Sequence, residues 1–420
     1  MARASGRPVP AWADAWLRTS GPDTLTPEVT DTADGWTLRL THTGGRPHRL
    51  LLGTYGTTGT GDAERATPGA RHDIELAASD APATATASVT EHAFPGPRPA
   101  LLVVNDGDLT YAKVRLDPAS WDTARRTLST LPDALTRTVV WNAARDMVRD
   151  GELDPAAYLE TAARHLKDEP STAIVQGVLA FARGRIADLF LAPERRPAAL
   201  ETLSGLARRL LGPDVTDPAR RLIAARAAIG SATAPDELRA WWKAGTVPGG
   251  PALDPELRWN VLHRLAVLGA TTEAEIRAEA DRDPTATGEE SAARCRAALP
   301  DPAAKEAAWN AMFDPADRLS NYLFIATAEG FWHPEQRDVL APYVARYFPA
   351  ATALAARRGH SLAMAVGRWA FPRGFTEPET LRLGEECLAA GGPDGPTPAL
   401  RRVLADQLDD LRRALRVISR

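Results

Sequence analysis

Histidine and cysteine are the residues from which this chain could build a metal or nucleophilic site, and their spacing argues against both. None of the eight histidines is followed by Glu. The H-E-x-x-H helix sets two imidazoles one turn apart around a zinc ion, with the Glu between them as general base, and that arrangement is absent. His42, His48, His72 and His92 fall in one strand-rich stretch and could approach one another beside a carboxylate. No i, i+3 or i, i+4 pair occurs among them, so they are read as solvated strand and loop side chains. His165, His263, His333 and His360 are scattered over separate helical segments and carry the same reading. Cys295 and Cys387 sit in helix-like surroundings outside any C-x-x-C, which suggests neither a disulfide framework nor a cysteine zinc site.

Two further patterns touch known catalytic motifs without completing them. Gly359-His-Ser361-Leu-Ala363 brushes against a nucleophile elbow, but that motif needs a strand before the Ser and a parallel sheet to present it, and the surroundings here are helical. Gly53, Gly56, Gly59 and Gly61 match neither G-x-G-x-x-G nor a phosphate-binding loop, and no Lys follows them. They read as a flexible Gly/Thr-rich turn from Gly53 to Gly61.

The elements that must position any site change character near residue 117. Before it, short alternating runs such as Trp36-Thr-Leu38-Arg-Leu40 are bounded by turn residues. The spacing predicts a β-sandwich of about seven strands over residues 24–117. After residue 118 the apolar period becomes helical, as in Leu135, Val139, Val140, Ala143 and Met147. Segments open on Asp154-Pro155, Asp217-Pro218, Asp254-Pro255, Asp301-Pro302 and Asp314-Pro315, where Asp caps the free amides and Pro presets the first helical φ. About sixteen such helices are expected over 118–420, paired and stacked as an α-helical solenoid of the HEAT/armadillo kind. The stripe Leu404, Leu408, Leu411, Leu415 and Ile418 is read as its capping helix rather than a coiled-coil seam. The fold class is therefore mainly α with a small all-β domain. Residues 1–23 read as an N-terminal tail and short linker helix, with the Arg/Gly/Pro-rich start the first point of proteolytic attack.

Composition narrows the function classes. A chain of 420 residues with 44% apolar and 25% charged residues is an ordinary soluble protein of two to three domains. A formal net charge of -4 argues against a nucleic-acid binder. No run approaches the length needed to span a bilayer, and no apolar run follows the first charged residues, so membrane partners are not expected and cytoplasmic residence is.

Separated stretches then carry a family resemblance in a consistent order. They are Trp16-Leu17 with Gly21 and Leu25, then Leu101-Leu-Val-Val-Asn105 through Tyr111-Ala-Lys-Val114. Ser320-Asn321, Gly330-Phe331-Trp332, Pro342-Tyr343 and Tyr347-Phe348 follow. From about residue 10 onward the chain resembles the C-terminal half of the bacterial zinc aminopeptidase N family. The resemblance implies a β-sandwich spacer and a helical bowl that closes over a zinc site in a preceding catalytic domain. The G-A-M-E-N stretch of that domain is absent here, and no catalytic residue carries over.

The expected function is thus a non-catalytic portion or accessory half, inactive alone, that shapes a peptide chamber. The expected partners are a catalytic half, a second copy, or peptides. No cofactor is expected in this chain, and zinc only in the catalytic half. The alternative is a stand-alone peptide-binding scaffold derived from such an enzyme. Phe331-Trp332-His333 and Arg368-Trp369-Ala-Phe371-Pro-Arg373-Gly-Phe375 are read first as plugs between helices, with Arg368, Arg373 and Trp332 kept as peptide-facing candidates. Trp241-Trp242 is read as packing. Trp12, Trp16 and Leu17 are the candidates for a partner interface.

Overall fold

The computed structural model describes residues 9–78, 87–316, 319–392 and 395–420. The tail expected to be protease-sensitive lies outside the described residues up to position 8. The chain forms two compact units, Met1–Ile174 and Val175–Arg420.

The first unit opens with helix α1 (Val9–Leu17) and continues with β1 (Asp23–Thr32), β2 (Gly35–Thr43), β3 (His48–Thr58), β4 (Arg65–Leu76), β5 (Ala87–Pro95), β6 (Leu101–Val104) and β7 (Ala112–Val114). One sheet has the order β5-β2-β1-β7, with β7 parallel to β1, and the other has the order β4-β3-β6. Leu25, Leu38, Leu40, Leu50, Leu52 and Ile74 are almost fully buried between the sheets. The period-two alternation that suggested strands is the alternation that fills this core. β6 is buried at every residue although it is an edge strand. Helix α2 (Pro118–Thr127) packs on it, and Ser120 Oγ accepts from Leu102 N at 2.9 Å. Helices α3 (Ala134–Arg149) and α4 (Pro155–His165) complete the described helices wholly within this unit, and α5 (Thr172–Phe181) crosses into the next.

The expected Gly53–Gly61 turn is shorter than its composition suggested. β3 runs through Gly53 and Gly56 to Thr58. A Cβ at Gly53 would meet Asp106 Oδ2 at 2.3 Å, so Gly53 serves close approach rather than flexibility. Asp106 is fully buried and accepts from Tyr55 Oη at 3.0 Å, Arg71 Nε at 2.7 Å and Thr136 Oγ1. That carboxylate fastens α3 to the sandwich.

The second unit is two rows of helices. One row is α7 (Pro218–Ser231), α9 (Pro255–Val267), α11 (Ala286–Ala297), α13 (Asn321–Phe331), α15 (His360–Trp369) and α17 (Pro398–Ile418), each packed on the next. Between them in sequence lie α8 (Pro235–Ala244), α10 (Glu273–Arg282), α12 (Pro302–Phe313), α14 (Arg337–Arg357) and α16 (Pro378–Ala389), each packed on the helix that follows it. Helix α6 (Arg196–Leu210) precedes them and packs on α7. Asp154, Asp217, Asp254 and Asp301 cap helices as their sequence position suggested, and Asp117 and Asp133 cap α2 and α3 as well. Asp314-Pro315 does not: Asp314 ends α12, and its side chain accepts from Ala316 N in a turn. Helix α14 carries Pro342 and Pro349 in its interior.

Buried donors answer the carbonyls at helix C-termini in this unit. Lys305 Nζ donates to Ala297 O at 2.6 Å and Phe331 O at 2.9 Å, and burial pulls the ammonium down to about 7. Gln336 Nε2 donates to Val267 O and Ala298 O, and Arg264 Nε to Ala232 O. Around them packs an aromatic core of Trp309, Phe331, Tyr343, Tyr347, Phe348 and Phe371.

Close helix contact yields a stability test. A Cβ at Gly330 would meet Arg294 O at 2.1 Å, whereas one at Gly230 meets nothing within 4 Å. Gly330→Ala is expected to cost about 1–3 kcal/mol through overpacking. Gly230→Ala is expected to be neutral or to stabilise by about 0.5–1 kcal/mol. Urea unfolding of both variants measures the contrast, and equal stabilities would contradict the α11–α13 approach.

Candidate functional site at an exposed apolar edge of the sandwich

The inward parity of the first strands continues past their apolar residues into polar ones. Asp23 is in phase with Leu25, His42 with Trp36, Leu38 and Leu40, and His48 with Leu50 and Leu52. All three side chains are therefore buried, contrary to the reading of His42 and His48 as solvated. Both imidazoles place Nε2 on Asp23 Oδ2, at 2.8 Å from His42 and 3.1 Å from His48. The Arg46 amide donates to the same oxygen at 2.9 Å, and its guanidinium pairs with Oδ1. Gly44, at φ 132, leaves room for the carboxyl, since a Cβ there would lie 2.3 Å from Asp23 Cγ. His72 and His92 do not join this group: each lies beside Phe94 instead.

Burial alone would raise the Asp23 carboxyl. The hydrogen bonds from His42, the Arg46 amide, His48 and the Arg46 guanidinium outweigh it and hold the group at about 2. Burial pushes the His48 imidazole below its usual range, and the Asp23 carboxylate offsets this only in part. The node is an ionised Asp–Arg pair with both Nε2 atoms directed at the carboxylate. Asp23, His42 and His48 converge closely enough to be metal ligands, yet the guanidinium already neutralises the carboxylate.

This node holds the edge of the unit together. Arg46 Nε donates to Ala15 O at 3.1 Å and Nη2 to Thr19 Oγ1, while its guanidinium lies over the Trp16 ring. Trp16 meets His48 edge-on, with centroids 5.2 Å apart. On the other side His48 Nδ1 contacts Thr110 Oγ1 at 2.7 Å, which brings in the loop between β6 and β7. Of the three interface candidates, Trp16 is thus half-buried against its own unit. Trp12 and Leu17 are exposed, Leu17 at 75%. The loop adds Leu109 and Tyr111, the latter also 75% exposed, which the sequence reading did not single out. Four large apolar side chains thus stand exposed on two segments that both reach His48, an arrangement common at partner surfaces.

Arg368, Arg373 and Trp332 lie together in the second unit. Arg373 Nη2 donates to Arg368 O at 3.2 Å, and both arginines are exposed. Trp332 is half-buried: its Nε1 donates to Ala370 O at 2.8 Å and its ring packs edge-on against Phe375. Gly359 opens α15 directly, so Ser361 sits in a first helical turn with no strand before it. Trp241 is buried and Trp242 lies under Arg258.

The sequence model of the ERAP1-like C-terminal domain matches residues 101–413. The chain is 34% identical over 434 residues to aminopeptidase N of Streptomyces lividans, spanning 98% of this chain and 48% of that protein. The structure of Legionella pneumophila aminopeptidase A in complex with aspartic acid superposes with a TM-score of 0.52 at 12% identity, over 97% of this chain and 51% of the other. The second likeness is one of fold. The chain spans about half the length of both relatives.

The buried imidazole sets a pH dependence. Unfolded, His48 takes up a proton near 6.5, whereas folded it does so only at lower pH. Below about 6.5 the unfolded state therefore binds more protons, and stability falls as pH drops toward the folded value. Thermal melts between pH 7.5 and pH 5 are expected to show this loss, and His48→Gln to remove only its own part of it, because burial lowers His165, His263 and His333 in the same direction. A melting temperature independent of pH in the wild type would refute the buried neutral imidazole.

Proposed function

Because the chain belongs to the ERAP1-like C-terminal domain family, we propose that it supplies the non-catalytic portion of an aminopeptidase N-like zinc metallopeptidase. In this reading the zinc-bearing portion docks on the exposed edge formed by Trp12, Leu17, Leu109 and Tyr111. The second unit forms a bowl-like solenoid that shapes the peptide chamber, with Arg368 and Arg373 as its peptide-facing cations and Trp332 supporting them. The catalytic zinc, its ligands and its general base belong to the zinc-bearing portion, since this chain has no H-E-x-x-H. The chain alone is expected not to cleave aminoacyl reporters.

The observation that carries this reading is that four large apolar side chains stay in water on an edge built around a buried ionic node. Association through that edge returns the hydrophobic free energy left unused in the isolated chain. The node presets the positions of α1 and the 105–111 loop, so little ordering cost remains on docking.

The experiment mixes the purified chain with a zinc-motif aminopeptidase polypeptide from the same genome and measures sedimentation and aminopeptidase turnover. Leu17→Asp and Tyr111→Asp are each expected to weaken association by about tenfold or more, as central interface residues do, with unchanged melting temperature. Trp16→Asp is expected to lower the stability of the first unit, because it loses the Arg46 and His48 contacts. A wild-type chain that stays monomeric and ignores every such partner would defeat this reading and favour the stand-alone scaffold.

A further inference from the structure

The carbonyls answered by Lys305, Gln336 and Arg264 gather the ends of α7, α9, α11 and α13 in one place within the second unit. Donors are left over there. Arg264 spends Nε on Ala232 O and Nη1 on Glu335 at 2.7 Å, but its Nη2 is sealed from solvent and has no acceptor among the described residues. Arg294 gives Nη2 to Glu329 at 2.5 Å, and its buried Nε is likewise without an acceptor. His263 on α9 and His333 in the turn after α13 face each other, with ring centroids 5.2 Å apart. Both rings are half-buried, yet the Nε2 atom of each is shut off from solvent and unpartnered among the described residues. Against these four nitrogens stands one orphaned buried acceptor, Gln336 Oε1. A buried polar group in this state points to a ligand, ion or water that completes it.

The balance of charge selects among these. Asp188 pairs with Arg183 and, at 2.8 Å, with Arg196. Glu335 takes Arg196 and Arg264, and Glu329 takes Arg294. Lys305 bonds to carbonyls alone, and at about 7 it is partly charged at neutral pH. Four arginines and this lysine thus share three carboxylates. His263 registers the imbalance: after burial, the charges that act on it most strongly are His333, Arg294, Arg264 and Lys305, and all oppose its protonation. Burial outweighs Glu335 at His333 and holds that imidazole at about 3. Both rings are therefore neutral at neutral pH, each with one N–H to give. A metal cation would meet only repulsion from these arginines. A water molecule would answer the donors but leave the charge. An anion answers both.

We propose that a small monovalent inorganic anion of the chloride class binds between His263 and His333. The Nε2–H groups of both imidazoles and the Nη2–H of Arg264 donate to it, and Arg294 Nε–H faces it from α11. The 5.2 Å spacing of the ring centroids suits a single atom and not a tetrahedral oxyanion. The exposed parts of the two rings give the ion its way in. Once bound, it joins α9, α11 and the turn after α13 at the ends that Lys305 and Gln336 already tie together. The site lies within the second unit and needs no partner protein, so it stands apart from the docking reading.

Thermal melts of the full chain test it, at fixed pH and ionic strength, as sodium gluconate is exchanged for sodium chloride. A saturable rise in melting temperature is expected, because an ion that binds only the folded state stabilises it by mass action. Bromide is expected to reproduce the rise. His333→Phe keeps a ring in place and removes the donor, and is expected to weaken the chloride response by about tenfold or more, the scale of a lost charge-assisted hydrogen bond. Equal melting temperatures in the two salts, or a rise of the same size in His333→Phe, would overturn the assignment. Should that variant fail to fold, crystals of the wild-type chain grown in sodium bromide decide. An anomalous bromine peak between His263 and His333 supports the site. Peaks confined to other surfaces, meaning an adventitious ion only, or a water molecule between the two rings, defeat it.

Discussion

A helix ends with four carbonyls that have no intrahelical partner, and a unit built from many short helices must meet that need at every turn. Where those ends are buried, water cannot do it. In the second unit the answer is a set of long polar side chains pointing inward. Lys305 serves the ends of α11 and α13, Gln336 the ends of α9 and α11, Arg264 the carbonyl after α7, and Trp332 the carbonyl after α15. Apart from Lys305 to Ala297, which links consecutive helices, these bonds join segments 26 to 69 residues apart, so satisfying one end also fixes the spacing of the next pair. Glu335 then gathers Arg196 and Arg264 at 3.0 and 2.7 Å and compensates the buried positive charge. The aromatic core fills the space this framework defines.

The first unit solves the same problem with carboxylates. Asp106 joins β3, β4 and α3, and Asp23 joins β1, the β2–β3 turn and α1. Both sit where only a glycine lets them approach, Gly53 for one and Gly44 for the other. A buried charge is tolerable only with its donors in place, so each carboxylate specifies the position of every segment that reaches it. The apolar edge of α1 and the 105–111 loop is exposed because the polar inner faces of those segments are already spoken for.

Local chemistry made much of this fold readable. Asp before Pro marked helix starts because cap and first turn are adjacent in the chain, and period two marked the strands because pleating is local. Asp314-Pro315 misled because the same dipeptide also suits a turn, and only the loss of room after α12 decides between them. Gly53 misled because its purpose is set by Asp106, about fifty residues away. The node around Asp23 was half legible. Strand parity already placed Asp23, His42 and His48 inward, and extending the alternation through polar residues would have found them. Their convergence on one oxygen depends on strand pairing that no single segment encodes.

Helix α14 holds a consequence of a different kind. Pro342 and Pro349 each delete one backbone hydrogen bond, leaving the carbonyls of Asp338 and Ala345 without their helical donors. Seven residues are almost two full turns, so the two defects face nearly the same way. Bends at such points add instead of cancelling, as they would at a spacing of five or nine. The longest rod in its row therefore has two soft joints on one side. Under load, the stack has a preferred direction in which to flex and a stiff one at right angles to it.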